Sequence, residues 1–275
     1  LETTIIDSRF EVLNPSFSRG GWSDIWLVRD LARDGERAVL KLLRIDLNAS
    51  PLVTRCAIRE RMIMTQIDHP DIESFVAHGL YQDKPYTVYR YENGCTLDSL
   101  LTSRRRTNES LRFAVGPFIR TLLSAISHLH DRHIIHRDIS TSNILVKPGG
   151  VPVLIDFSMV MSLEEVDWYM DWVAMGCPDF MPLESWEGFP YTKRTDVFSL
   201  GVILFLLFEN RFPFPQRAFL SSSVNLDRRY PPRSMGCAPP GVDPIILQCL
   251  SPDPLERCAD AGELLQALEP FLHLF

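Results

Sequence analysis

The chain has 275 residues, of which 45% are hydrophobic and 23% charged, and its net charge is −7. That is the composition of a soluble globular protein long enough to bury a sizeable core, and its acidic balance gives no global field that would favour nucleic acid. Six cysteines are spread along it without a C-x-x-C pair, so neither a disulfide scaffold nor a zinc site is read, and the thiols are expected to be free in a reducing, cytoplasmic compartment. The opening LETTIIDSRF has an acid at its second position and no long apolar run, so no signal peptide is read. The longest apolar stretch, LGVILFLLF at 200–208, is too short to span a bilayer. Because the first residue is Leu, a domain taken from something longer is expected.

In chain order, FEVLNPSFSRGGWSDIWLVRD places β-branched and aromatic residues around a Gly-Gly turn, and RAVLKLLRI is a short apolar run; both predict strands. SPLVTRCAIRERMIMTQI has apolar residues at helical spacing, with Ser50 as a candidate cap and Pro51 at the first helical position. FVAHGLYQ and KPYTVYRY predict a second strand pair. After about residue 92 the pattern turns helical. LRFAVGPFIRTLLSAISHLHDRH reads as a long helix interrupted at Gly116-Pro117, and Arg104-Arg105-Arg106 as a solvated turn. NILV and PVLIDF predict short strands. VFSLGVILFLLFEN is apolar all round, the mark of a buried central helix, and IILQCL and AGELLQALEPFL are amphipathic helices. A sheet-rich part followed by a helix-rich part predicts an α+β arrangement of two lobes, about 1–91 and about 92–275, in a single domain.

Polar residues recur at marked places in this pattern. Ala38-Val39-Leu40-Lys41 lies on a strand, and Glu60 follows 19 residues later on the predicted helix. IIHRDISTSNILV contains His136-Arg137-Asp138 and, five residues after the Asp, Asn143; Asp156-Phe157-Ser158 follows the strand PVLI. Taken alone, each has a structural explanation: Lys41 an exposed strand end, Glu60 a helix surface charge, Asp138 and Asn143 turn formers, Asp156 a strand-end cap. The ordered set resembles the eukaryotic-type protein kinases over nearly the whole chain, with their V-A-I-K, H-R-D-x-x-x-x-N and D-F-G strings. GCPDFMPLE at 176–184 resembles the family's G-T-P-E-Y-M-A-P-E, DVFSLG at 196–201 its D-x-W-S-x-G, and Arg257 falls where the family pairs an Arg with the last Glu, here Glu184.

The resemblance implies a bilobal fold, with a β-rich N-lobe carrying helix C and a mainly helical C-lobe. It implies ATP and Mg²⁺ as cofactors and a protein as substrate. Lys41 would orient the phosphates and Glu60 would hold Lys41. Asn143 and Asp156 would bind Mg²⁺, for which hard oxygens are suited, and Asp138 would accept the proton of an incoming hydroxyl. PYTVYRYENGCTLDSLL resembles the family's hinge, so Tyr89 would stand at the back of the adenine pocket and adenine would meet the backbone of Arg90 and Glu92. The phosphate loop SRGGWSDIWLV aligns Ser18, Gly20, Ser23 and Ile25 with the four positions of G-x-G-x-x-G-x-V other than the spacers; only Gly20 is retained, followed by Gly21. Phe75, Met64, Phe157 and His136 would form the inner hydrophobic stack.

Three positions depart from the family. Ser158 replaces the Gly of D-F-G, Ser140 stands where serine/threonine kinases have Lys, and Cys177 where they have Thr. The expectation is a protein serine/threonine kinase that transfers phosphate slowly. Two alternatives are a pseudokinase that binds nucleotide or scaffolds partners, and a kinase-fold enzyme acting on a small molecule. The retention of Lys41, Asp138 and Asp156 speaks against the first, and the P-L-E and D-V-F-S-L-G segments against the second. Arg137 would dock an activation loop that offers Ser158, Ser162 and Tyr169 for phosphorylation, or would pair instead with Glu164, Glu165, Asp167 or Asp171. Activity without loop phosphorylation is expected. No oligomeric state is read.

Overall fold

The computed structural model describes residues 4–44, 50–107, 111, 113–164, 176–214 and 232–275. The chain divides into two compact units, Leu1–Asn93 and Gly94–Phe275.

The first unit is built on an antiparallel sheet of six strands: β1 (Ile5–Ile6), β2 (Phe10–Arg19), β3 (Ser23–Asp30), β4 (Glu36–Leu43), β5 (Phe75–Tyr81) and β6 (Lys84–Arg90), in the order β1-β2-β3-β4-β6-β5. Pro15 lies inside β2, where the pairing to β3 slips in register; a residue with no N–H is tolerated at such a bulge. The Gly20-Gly21 hairpin closes through the Gly20 N–H on the Ser23 carbonyl. Strand periodicity of two sends Ala38, Leu40 and Leu42 of β4 into a core with Ile6, Phe10, Val28, Tyr86 and Val88. The same periodicity leaves Val39 and Lys41 on the opposite face. Helix α1 (Pro51–Met64) buries Val53, Cys56, Glu60, Ile63 and Met64. That stripe has helical spacing, and a carboxylate lies within it. Ser50 stands at its N-cap position but makes no side-chain capping bond.

The second unit is mainly helical. After β7 (Cys95–Thr96) come α2 (Leu97–Thr107) and α3 (Val115–His130), then the short strands β8 (Ile134–Ile135), β9 (Ile144–Val146), β10 (Pro152–Leu154) and β11 (Met161–Ser162). The helices α4 (Leu183–Glu187), α5 (Lys193–Glu209), α6 (Val242–Cys249) and α7 (Ala261–Leu268) follow, with a 3-10 segment at Glu269–Leu274. Together with the sheet of the first unit this is the expected α+β class. Helix α5 is buried nearly all round, as its sequence requires. A capping box of Thr192 and Thr195 starts it, and Asn210 ends it in the left-handed region.

Two expectations are corrected here. Gly116-Pro117 does not interrupt a helix. It lies in the first turn of α3, where a missing proline N–H costs nothing, and the Gly116 N–H bonds the Phe275 carbonyl at 2.8 Å. A Cβ at Gly116 would come within 1.9 Å of the Leu272 carbonyl oxygen, so the close approach of the 3-10 segment needs glycine. Arg104-Arg105-Arg106 is not a turn but the last part of α2, where positive charge faces the negative end of the helix dipole. Arg104 also donates to the Leu207 carbonyl at 2.7 Å.

Candidate active site

In the first unit, Lys41 projects from β4 and its ammonium lies 3.1 Å from Glu60 Oε1 on α1. It lies equally close, 3.1 Å, to Oε1 of Glu73, in the segment leading into β5. Tyr89, whose β6 position faces Val39 across the sheet, completes the group. Its hydroxyl donates to Glu60 Oε1 at 2.7 Å, and the Lys41 ammonium sits 4.5 Å from its ring centroid. Both carboxylates are about 6% exposed. The main-chain N–H of Arg90 is taken by the Ser74 carbonyl at 2.9 Å, so of its two backbone groups the carbonyl is the one suited to a ligand's donor. Ser18 pairs with Ile25 across the β2–β3 hairpin that holds Gly20 and Gly21.

In the second unit, Asp138 accepts from Asn143 Nδ2 at 2.8 Å and from the Cys177 N–H at 2.8 Å. Asn143 Nδ2 also donates to the Asp138 carbonyl at 2.9 Å. With its amide nitrogen so engaged, Asn143 turns its oxygen away as an acceptor. Burial raises the Asp138 carboxyl to about 6; the nearby Asp156 and Asp196 carboxylates add to this, and the Cys177 N–H and Asn143 oppose it. Burial likewise pushes the Cys177 thiol up to about 12, with the Asp138 charge adding, so this cysteine contributes its main-chain N–H rather than a thiolate. Gly176 before it has φ +123, and a Cβ there would sit 3.1 Å from the Arg137 carbonyl oxygen and 3.3 Å from Asp138 Oδ1. Arg137 and Asp156 adopt φ 68 and 64, a region costly for residues with side chains and frequent at functional sites.

The loop's shape is set from below by α5. Asp196 accepts from the N–H groups of His136 at 2.8 Å and Arg137 at 2.9 Å, and its Oδ2 is 3.1 Å from His130 Nε2. Burial alone would raise the Asp196 carboxyl; the hydrogen bond with the His130 ring, together with the nearby His136 and its N–H, outweighs it and holds it below the usual carboxylate range. Glu184 and Arg257 meet in a buried bidentate pair at 2.6 and 2.9 Å, the partnership the resemblance implied. Arg137 is buried with its guanidinium 4.1 Å from the Tyr191 ring centroid.

Ser140 is fully buried, its hydroxyl 2.9 Å from that of Ser142. Phe157 and His136 of the expected stack touch edge to face at 4.6 Å in this unit, while Met64 is buried in the other. Of the acids weighed as partners of Arg137, Glu165, Asp167 and Asp171 lie outside the described residues, as does Tyr169. Sequence reasoning missed Glu73, and it read Gly176 and Asp196 only as the first residues of structural segments. Glu73 carried one signal, an acid set among the apolar residues Ile72, Phe75 and Val76. No spacing rule distinguishes it from a loop charge.

Asp156 and Asn143 offer hard oxygen donors, and Mg²⁺ characteristically takes one or two carboxylates and completes its octahedron with water and substrate phosphate. The donor set fits that ion. No cluster of three or more His, Cys, Asp or Glu suited to a metal occurs among the described residues. None of the six cysteines is in a disulfide, and no helix of the described residues is long and apolar enough to cross a membrane.

The chain is similar to the serine/threonine-protein kinase PrkC of Bacillus subtilis, 29% identical over 94% of this chain and 40% of PrkC. It is 26% identical to the serine/threonine-protein kinase PknD of Chlamydia pneumoniae, over 92% of this chain and 30% of PknD. It thus spans less than half the length of these relatives. The protein kinase domain family matches residues 19–268. With that match running through both units, from the Gly20 hairpin to α7, the chain belongs to the protein kinase domain family.

Proposed function

We propose that this chain transfers the γ-phosphoryl group of Mg²⁺-bound ATP to a serine or threonine hydroxyl of a protein, and does so slowly. The observation that carries this reading is Asp138, a carboxylate held in place by Asn143 and the Cys177 N–H with a proton affinity matched to general-base work. The names of the relatives, serine/threonine-protein kinases, support the choice of acceptor.

Each residue has a part in this mechanism. Lys41 donates to phosphate oxygens, and Glu60 keeps its ammonium aimed. Asn143 and Asp156 would hold Mg²⁺, which would supply neutralisation of the phosphate charge. Asp138 accepts the hydroxyl proton as the acceptor oxygen attacks. Tyr89 closes the back of the adenine site, with the backbone of Arg90 and Glu92 meeting the base, and Ser18, Gly20, Gly21 and Ile25 cover the phosphates. Ser140 brings no charge to a place where the family has a lysine. Loss of a charged donor in a preorganised site costs about 3 kcal/mol in the transition state, roughly a hundredfold in rate, which slows the chemistry without abolishing it. The six thiols, none of them in a disulfide, support assignment to a reducing, intracellular compartment.

The test is transfer from radiolabelled ATP, with generic protein substrates and a metabolite pool offered separately. Label is expected on protein serine or threonine, and none in Asp138→Asn or Lys41→Met. Label confined to metabolites, or activity surviving in either variant, would sink the reading.

A further inference from the structure

Resting on that reading of Lys41, we infer that Glu73 is a second positioning residue for the phosphate-binding lysine, one borne by the sheet where Glu60 is borne by the helix. Lys41 meets Glu60 and Glu73 at the same distance, 3.1 Å. All three are largely shielded, with side-chain exposures of 12% for Lys41, 8% for Glu60 and 7% for Glu73.

Two carboxylates meet one ammonium in a shielded place. Stability does not ask for that arrangement, because a buried set of paired charges replaced as a whole by well-packed apolar residues is often as stable or more so. Geometry gives it a use. An ammonium has three N–H donors arranged around one axis. One carboxylate fixes one donor and leaves rotation about that bond; two carboxylates fix two donors and so set the direction of the third.

The two anchors also differ in what carries them. Glu60 rides on α1 and shares its Oε1 with the Tyr89 hydroxyl. Glu73 sits one residue before Ser74, whose carbonyl takes the Arg90 N–H, and two before Phe75, which pairs with Tyr89. Glu73 is therefore tied to the sheet that also carries Lys41. The lysine keeps one anchor even where Glu60 is withdrawn, and Glu60 becomes partly redundant.

The test compares Glu60→Gln, Glu73→Gln and the double variant in the full chain. Each single change is expected to lower kcat about tenfold, and the double by more than the product of the two. Glu73→Gln should not raise the KM for ATP, since it removes a negative charge from beside a phosphate-binding group; a merely structural role would raise KM and lower Tm together. Glu73→Asp, which keeps the charge and shortens the reach, should give an intermediate kcat and serves if the Gln variant folds poorly. A second readout needs no turnover and no nucleotide. In protein labelled with nitrogen-15 at lysine, the Lys41 ammonium, assigned by its loss in Lys41→Met, should give a signal protected from exchange that disappears in Glu73→Gln. Wild-type kcat in Glu73→Gln, a double variant no worse than Glu60→Gln alone, or an unchanged ammonium signal would overturn the inference. A wild type that transfers no phosphate yet shows the Glu73-dependent signal would remove the proposed activity and leave the brace standing.

Discussion

Burial raises the Asp138 carboxyl to about 6, and a general base works only when deprotonated. Turnover is expected to fall about tenfold per pH unit below that value, read as kcat/KM across pH 5 to 8. The same shift couples to stability. An unfolded aspartate titrates near ~3.9, so between that value and about 6 the folded chain holds the extra proton. The stabilisation this gives is full below the unfolded value and is lost as pH rises through the folded one. The amide introduced by Asp138→Asn cannot titrate, so the Tm of that variant relative to wild type should be higher at pH 8 than at pH 5. The opposite trend would contradict the assigned shift. Ser140 gives a second test. Its hydroxyl meets only another hydroxyl in the described contacts, so Ser140→Ala is expected to lower kcat less than fivefold. Ser140→Lys restores a cation and should raise kcat severalfold. Because the position is fully buried, it should also cost roughly 1–3 kcal/mol through overpacking, seen in urea denaturation. A rate unchanged by Lys, with collapse in the Ala variant, would point to a role for the Ser140 hydroxyl that the geometry does not suggest.

Among the elements, the segment from Gly176 to Glu184 works through its backbone at one end and an ion pair at the other. Gly176→Ala puts a side chain into a φ of +123 against the Arg137 carbonyl, and it should displace the Cys177 N–H from Asp138. The expected result is a kcat loss of at least tenfold with nucleotide affinity retained. Glu184→Ala strands a buried guanidinium and should cost about 3–5 kcal/mol; a loss under about 1 kcal/mol in chemical denaturation would show that the pair is dispensable. The contrast between these two contacts explains what the sequence made legible. Side-chain pairs at family spacing, such as Lys41 with Glu60 and Glu184 with Arg257, were readable, as were strands and helices with a clean period. The Asp138 contact to Cys177 was not, because a main-chain N–H has no letter. Glu73 was not, because its meeting with Lys41 depends on how the chain enters β5. The start of α3 at Gly116-Pro117 was misread because a proline inside a helix and one in its first turn look alike until the C-terminal segment is seen against it.

For the molecule as a whole, Mg²⁺·ATP that binds only the folded chain should raise Tm by mass action, with about 2.7 kcal/mol of stabilisation at a hundredfold excess over Kd. No shift at millimolar nucleotide, with silence in calorimetry, would remove nucleotide binding from the account. Arg137 is buried against Tyr191, so phosphatase treatment is expected to leave activity within twofold of the untreated chain. Silencing by phosphatase would show that a phosphorylated residue holds the active arrangement. The Asp196 contacts have a consequence for how such a chain can diverge. The carboxylate of a central helix grips the N–H groups of His136 and Arg137, which every amino acid but proline possesses. The curve of the loop that carries Asp138 is thus specified in part from outside the loop. Side chains such as Ser140 can then drift through mutation while the scaffold that presents Asp138 keeps its shape, so that tempo can change in evolution without the chemistry having to be rebuilt.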